Sequence, residues 1–122
     1  MAHVLIIDDD PTVPGLLKTL FAEKRGDEVT LIGEVAHAVR TAEDLRPDMI
    51  VLASDLFGVD VPAIVSQLQR HRSTPIVLYG VIAKRDEERF APLAATVTCL
   101  LSPINTDEFL AARDQCVVAA GT

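Results

Sequence analysis

Val4-Leu5-Ile6-Ile7-Asp8-Asp9-Asp10-Pro11 runs four aliphatic residues straight into three carboxylates. An apolar run without polar interruption suits a strand covered on both faces of a parallel sheet, and its carboxyl end then delivers Asp8 and Asp9 to the sheet rim. Open α/β sheets keep their sites at that rim. Two adjacent acids there repel each other and lose solvation, a cost that a divalent cation or a basic side chain offsets. Asp8 and Asp9 are therefore the candidate site and the candidate metal ligands, whereas Asp10 is expected to cap the next helix with Pro11 at its first position.

Beyond this stretch, apolar spacing alternates between two periods. Val13, Leu16, Leu17, Leu20 and Phe21 form the stripe of a helix over about 11–24, which Gly26-Asp27 ends. Residues 28–33 alternate as a short strand, and Val35, Ala38, Val39, Ala42 and Leu45 restore the helical stripe up to Pro47. Met49-Ile50-Val51-Leu52-Ala53 is a second continuous apolar run, Pro75 to Tyr79 a fourth strand and Val97 to Leu101 a fifth. After a loop over 54–62, helices are expected up to His71, over about 84–94 and over about 107–119, the last four residues fraying. Five strands alternating with five helices imply parallel pairing through right-handed crossovers: a doubly wound α/β sheet with helices on both faces.

With 122 residues, 49% of them hydrophobic, residues 1–122 suit a single domain with one core. Eighteen acids against eleven bases give a net charge of -7 with no basic stripe, which argues against nucleic-acid binding. Cys99 and Cys116 lie in apolar segments without metal-ligand spacing, as reduced core thiols do. The amino terminus lacks the pattern of a signal peptide and no segment approaches membrane-spanning length, so the expected location is cytoplasmic.

Five stretches taken in order carry a resemblance: Ile6-Ile7-Asp8-Asp9-Asp10-Pro11, Arg46-Pro47-Asp48-Met49-Ile50-Val51-Leu52, Gly58-Val59-Asp60, Thr74-Pro75-Ile76-Val77-Leu78 and Ser102-Pro103-Ile104-Asn105. Over essentially its full length the chain resembles the receiver domain of two-component response regulators. The resemblance implies a flavodoxin-like fold of strand order 2-1-3-4-5. It also implies transfer of a phosphoryl group from a histidine kinase to an Asp ending the third strand. In the family, Mg²⁺ on the acid pair, a hydroxyl ending the fourth strand and a lysine ending the fifth neutralise or orient that group. Such chemistry works by positioning and charge neutralisation, so each part has its own job.

The chain keeps the acid pair and departs elsewhere. Laid without gaps, the phosphoacceptor position falls on Ala53, the hydroxyl position on Gly80, the lysine position on Ser102 and the switch-aromatic position on Cys99. A methyl group is no nucleophile. Because one acid and one base are lost together, the pocket charge is unchanged, which the fold tolerates better than either loss alone. The resulting expectation is a pseudo-receiver: a folded, non-enzymatic module with no required cofactor and a weak Mg²⁺ site on Asp8 and Asp9 near Asp55. It would act by contact with a histidine kinase, an effector domain or another signalling protein.

Alternatives stay open. Asp55, two residues past Ala53 on the same side of an extended backbone, is a substitute acceptor if the strand end slips or bulges. A small-ligand-binding domain of flavodoxin type is the reading from another class, although Asp9-Asp10-Pro11-Thr12 stands where a glycine-rich phosphate loop would be. No Ser or Cys nucleophile has a recognisable base. Tyr79 is expected to be a half-buried strand residue, and His3, His37 and His71 are expected at the surface. Arg85, Glu87 and Glu88 form a solvated helix face. The resemblance implies a cis Ser102-Pro103 bond. It also leaves open docking or homodimerisation through the helix over 84–94, the fifth strand and the last helix.

Overall fold

Three stretches too apolar to face water on either side set the centre of the sheet. In the computed structural model, which describes residues 2–56, 58–70, 72–80, 88, 96–101 and 105–121, they are its three middle strands. Five parallel strands, β1 (His3–Ile7), β2 (Glu28–Ile32), β3 (Met49–Ala53), β4 (Ile76–Gly80) and β5 (Val97–Leu101), stand in the order β2-β1-β3-β4-β5. Val4 to Ile7, all of β3 and Ile76 to Tyr79 are buried, so burial on both faces explains the unbroken apolar runs. This is the expected flavodoxin-like order.

The described helices are α1 (Thr12–Arg25), α2 (Val35–Leu45), α3 (Val61–Leu68) and α4 (Thr106–Gly121). Contacts pair α1 with α4 and α2 with α3, the arrangement of a sheet covered on both faces. The helix expected over 84–94 lies outside the described residues except for Glu88, which is helical and exposed. His71, Arg85, Glu87, Ser102 and Pro103, and with them the expected cis bond, also lie outside. Among the described residues, no helix is long and apolar enough to cross a membrane.

Local chemistry sets the ends of the helices, in places differently from the sequence expectation. Pro11 is the residue before α1 and has no side chain able to cap it, while Asp10, one position earlier, accepts from the Thr12 amide at 2.9 Å. The carboxylate thus serves the first turn through an Asx turn and not as the cap itself. Gly26, at φ 69°, closes α1 in the left-handed conformation that glycine adopts freely. Asp60 caps α3 by accepting from the Ala63 amide at 3.3 Å, and α3 ends at Leu68, short of the expected end near His71. Asn105 caps α4 through the amides of Asp107 and Glu108, at 2.9 and 3.3 Å. That helix runs on to Gly121, so three of the four residues expected to fray are helical.

In α1 the buried line is Pro14, Leu17 and Phe21, whereas Leu16, placed on the stripe by spacing, is 51% exposed because it stands roughly a third of a turn off that line. Between α1 and α4, the fully buried carboxylate of Asp27 accepts from Arg113 Nε at 2.8 Å, and Arg25 Nε pairs with Asp114 at 2.8 Å. Arg113 Nη1 also reaches Asp114, at 3.0 Å, joining the four side chains into one cluster.

Candidate functional site

Parallel register decides which residues meet at the carboxyl edge. Ile7 pairs with Leu52, and Ala53 pairs with Tyr79, so β1, β3 and β4 end side by side. Asp8 leaves β1 with its amide still bonded to the Ile32 carbonyl at 3.1 Å, which holds its side chain at the rim. The Asp8 carboxylate is buried and both its oxygens are engaged. Oδ1 accepts from the Asp10 amide at 3.0 Å, and Oδ2 accepts from the Tyr79 hydroxyl.

The Tyr79 bond spans a strand. With neighbouring strands about 4.8 Å apart, β4 lies about 10 Å from β1, and β3 stands between them. The phenol therefore reaches Asp8 by passing over the end of β3, where Ala53 contributes only a methyl group. From the other side the ring of Phe109, on α4, meets Tyr79 edge to face at a centroid distance of 5.7 Å and an angle of 72°. Tyr79 is 4% exposed and Phe109 1%. This corrects the expectation of a half-buried strand residue: Tyr79 is buried and hydrogen-bonded in the pocket itself.

Burial raises the Asp8 carboxyl above its ordinary value, the bonds from Tyr79 and Asp10 oppose that rise, and the charges of Asp55 and Asp9 add to it. Burial first, and then the bond to Asp8, push the Tyr79 phenol far above its ordinary range. The phenol is accordingly the donor and Asp8 Oδ2 the acceptor. Asp9 and Asp55 are exposed, and the charge of Asp55, in the turn after β3, is felt at both Asp8 and Tyr79.

Gly80 stands where the family has a hydroxyl, and its backbone favours glycine. Its φ is 112°, and a Cβ at this position would come within 2.9 Å of Ser54 Oγ. Glycine tolerates both conditions and a hydroxyl-bearing residue does not.

The structure thus brings Asp8, Ala53 and Gly80 to one edge, with Asp9 and Asp55 exposed beside them, and Ser102 lies outside the described residues. Cys99 is exposed on the edge strand β5, which corrects its expected place in the core, while Cys116 is buried; both thiols are free. His3 is not a simple surface residue either: its ring nitrogen meets Thr30 Oγ1 at 2.8 Å and its amide donates to Asp48 at 2.9 Å. Exposed His37 pairs with Glu34 at 3.1 Å.

The Asp8 oxygens already accept from a phenol and an amide, and the Ala53 side chain offers no oxygen where the family has a carboxylate. Among the described residues, no three His, Cys, Asp or Glu side chains are grouped to hold a metal ion. A cavity of about 380 Å³ lies at the opposite, amino edge of the sheet, lined by Ala42, Arg46, Leu68, Arg72 and Thr74, and so is separate from the acid pair.

The model of the response regulator receiver domain family matches residues 4–114. A protein-glutamate methylesterase/protein-glutamine glutaminase of Myxococcus xanthus is 31% identical over 84 residues, covering 68% of this chain and 24% of that protein. The DNA-binding response regulator MtrA of Mycolicibacterium smegmatis is 30% identical over 84 residues, covering 69% of this chain and 36% of that protein. The chain therefore spans only a quarter to a third or so of these relatives. A CheY-like receiver domain from Methanospirillum hungatei superposes with a TM-score of 0.87 at 15% identity, over 99% of this chain and 97% of that one. Strand order, edge geometry and family match agree: the chain belongs to the receiver domains of two-component response regulators.

Proposed function

We propose that this receiver domain signals without Asp phosphorylation, as a pseudo-receiver acting through protein–protein contact. The observation that carries the reading is Ala53, a fully buried methyl at the end of β3 where phosphoryl transfer requires a nucleophilic carboxylate. Gly80 supports it, since a residue carrying the assisting hydroxyl would be strained at φ 112° and would have to push Ser54 Oγ aside. The module itself is not an enzyme, and the activity of a longer protein containing it would reside in other domains. Its partner is a histidine kinase, an effector domain or another signalling protein. The edge strand β5, with Thr98 and Cys99 exposed, and α4, with Val118 68% exposed, offer the docking face, on which a second copy of the chain could also sit.

The test is intact mass after incubation with acetyl phosphate and Mg²⁺. An unchanged mass supports the reading, and a stoichiometric phosphoryl adduct overturns it. A second reading, a working receiver that uses Asp55, draws support from the charge of Asp55 being felt at Asp8. It requires that an adduct form and that Asp55→Asn abolish it.

A further inference from the structure

We infer that Tyr79 is a built-in occupant of the acid pocket, its phenol standing where a cation would have to sit and so excluding divalent ions from Asp8. Four observations carry this. The Tyr79 hydroxyl donates to Asp8 Oδ2, and the second oxygen is bonded to the Asp10 amide at 3.0 Å, so each carboxylate oxygen already has a donor from within the protein. Ala53 is the register partner of Tyr79, and its methyl leaves the path across β3 open to the ring. Phe109 on α4 holds the ring from outside, and both aromatic residues are buried, so the plug is packed in place. Among the described residues, no buried side-chain nitrogen or oxygen lacks a hydrogen-bond partner, so the buried Asp8 and Tyr79 atoms leave none unpaired for an ion to satisfy.

The pieces depend on each other. An acid at position 53 would place a second carboxylate under the phenol and beside Asp8, and like charges at that spacing cannot all stay ionised without a cation. With alanine there, a neutral donor suffices. Loss of the acceptor and gain of the plug therefore form one matched change across β3 and β4: the site is closed by an aromatic side chain and not merely stripped of its helpers. Mg²⁺, which loses its water reluctantly and demands near-ideal geometry, would have to displace a buried ring to reach Asp8.

The proposal rests on reading this pocket as a former phosphoacceptor site, yet the two fail separately, because Mg²⁺ binding is measured without any phosphoryl donor. The experiment titrates Mg²⁺ alone into wild type, Tyr79→Phe and Tyr79→Ala by calorimetry. Loss of a hydrogen bond to a carboxylate is worth about a tenfold change in affinity, so at least one variant should bind Mg²⁺ about tenfold or more tightly than wild type. Equal binding by all three, weak or tight, overturns the proposal. A second measurement needs no variant. The chain has one tyrosine and no tryptophan, so its ultraviolet emission reports on Tyr79 alone. Emission unchanged by millimolar Mg²⁺ supports the plug, and a saturable change with Mg²⁺ overturns it. A phosphoryl adduct in the mass experiment, with the Mg²⁺ series as expected, would remove the silent-receiver reading and leave the plug standing.

Discussion

Two buried aspartates lie at opposite ends of this fold and are satisfied by different chemistry. Asp27, at the close of α1, is fully buried against the guanidinium of Arg113, with Arg25 and Asp114 completing an alternating cluster. Asp8, at the carboxyl edge of the sheet, takes a phenol and a backbone amide, and no cation stands beside it among the described residues. The first arrangement neutralises a charge and ties α4 to α1. The second holds a charge with neutral donors that do not fully offset its burial, so burial leaves Asp8 above its ordinary pKa while Asp114, paired with Arg25, sits below its own. A phosphoryl-accepting pocket needs positive charge at that edge, and in the described residues the described cationic partners of buried acids stand at the other end of the molecule.

The largest effect is expected from breaking the ion cluster. Arg113→Met leaves Asp27 buried without its guanidinium, and removal of one partner from a buried pair costs about 3–5 kcal/mol. Chemical denaturation of the variant should show this as a large fall in midpoint; a loss below about 1 kcal/mol would show that Asp27 finds another donor. Next comes Gly80→Ala, which forces a side chain into φ 112° and against Ser54 Oγ, at a cost of about 1–3 kcal/mol. Adding Ser54→Ala should recover the part due to contact and leave the part due to φ, which thermal melts of the single and double variants separate.

Tyr79→Phe is the neutral counterpart of the Arg113 change. The Asp10 amide remains on Asp8, so the expected loss is about 1.5 kcal/mol, below that for Arg113→Met. Equal losses would erase the contrast between the two sites.

The smallest effects appear with pH and run in opposite directions. The lowered pKa of Asp114 contributes stability that is present above its ordinary value of 3.8 and is lost as pH falls through the lowered value. Asp8, with a raised pKa, costs stability at neutral pH and regains it as pH falls through the raised value toward 3.8. Urea midpoints measured across the acid range should therefore decline less steeply in Asp114→Asn and more steeply in Asp8→Asn. Asp114 is 44% exposed, so solvent screening keeps its share below about 1 kcal/mol.

How far the sequence foretold this follows from what each feature depends on. Met49–Ala53 and Val35–Leu45 were legible to the residue, because a doubly buried strand and a helix stopped before Pro47 are written in local spacing. The placing of the phosphoacceptor position on Ala53 came from the family resemblance, counted from Pro47, and not from periodicity. Leu16 was misplaced because the apolar stripe of α1 is wider than the line that touches the sheet. Cys99 was misplaced because nothing in its neighbours marks β5 as an edge strand. The bond from Tyr79 to Asp8 joins residues 71 positions apart and depends on the register of β3 with β4. Local periodicity carries no such information, although an aromatic residue registered against an alanine is the pairing to look for once strand order is known.

The most direct measurement is a crystal structure of the chain grown with Mg²⁺ and beryllofluoride. The account predicts the Tyr79 hydroxyl on Asp8, no cation between Asp8 and Asp9, and no beryllofluoride on Asp55. A cation bound to Asp8 with the phenol displaced, and beryllofluoride attached to Asp55 beside it, would contradict it.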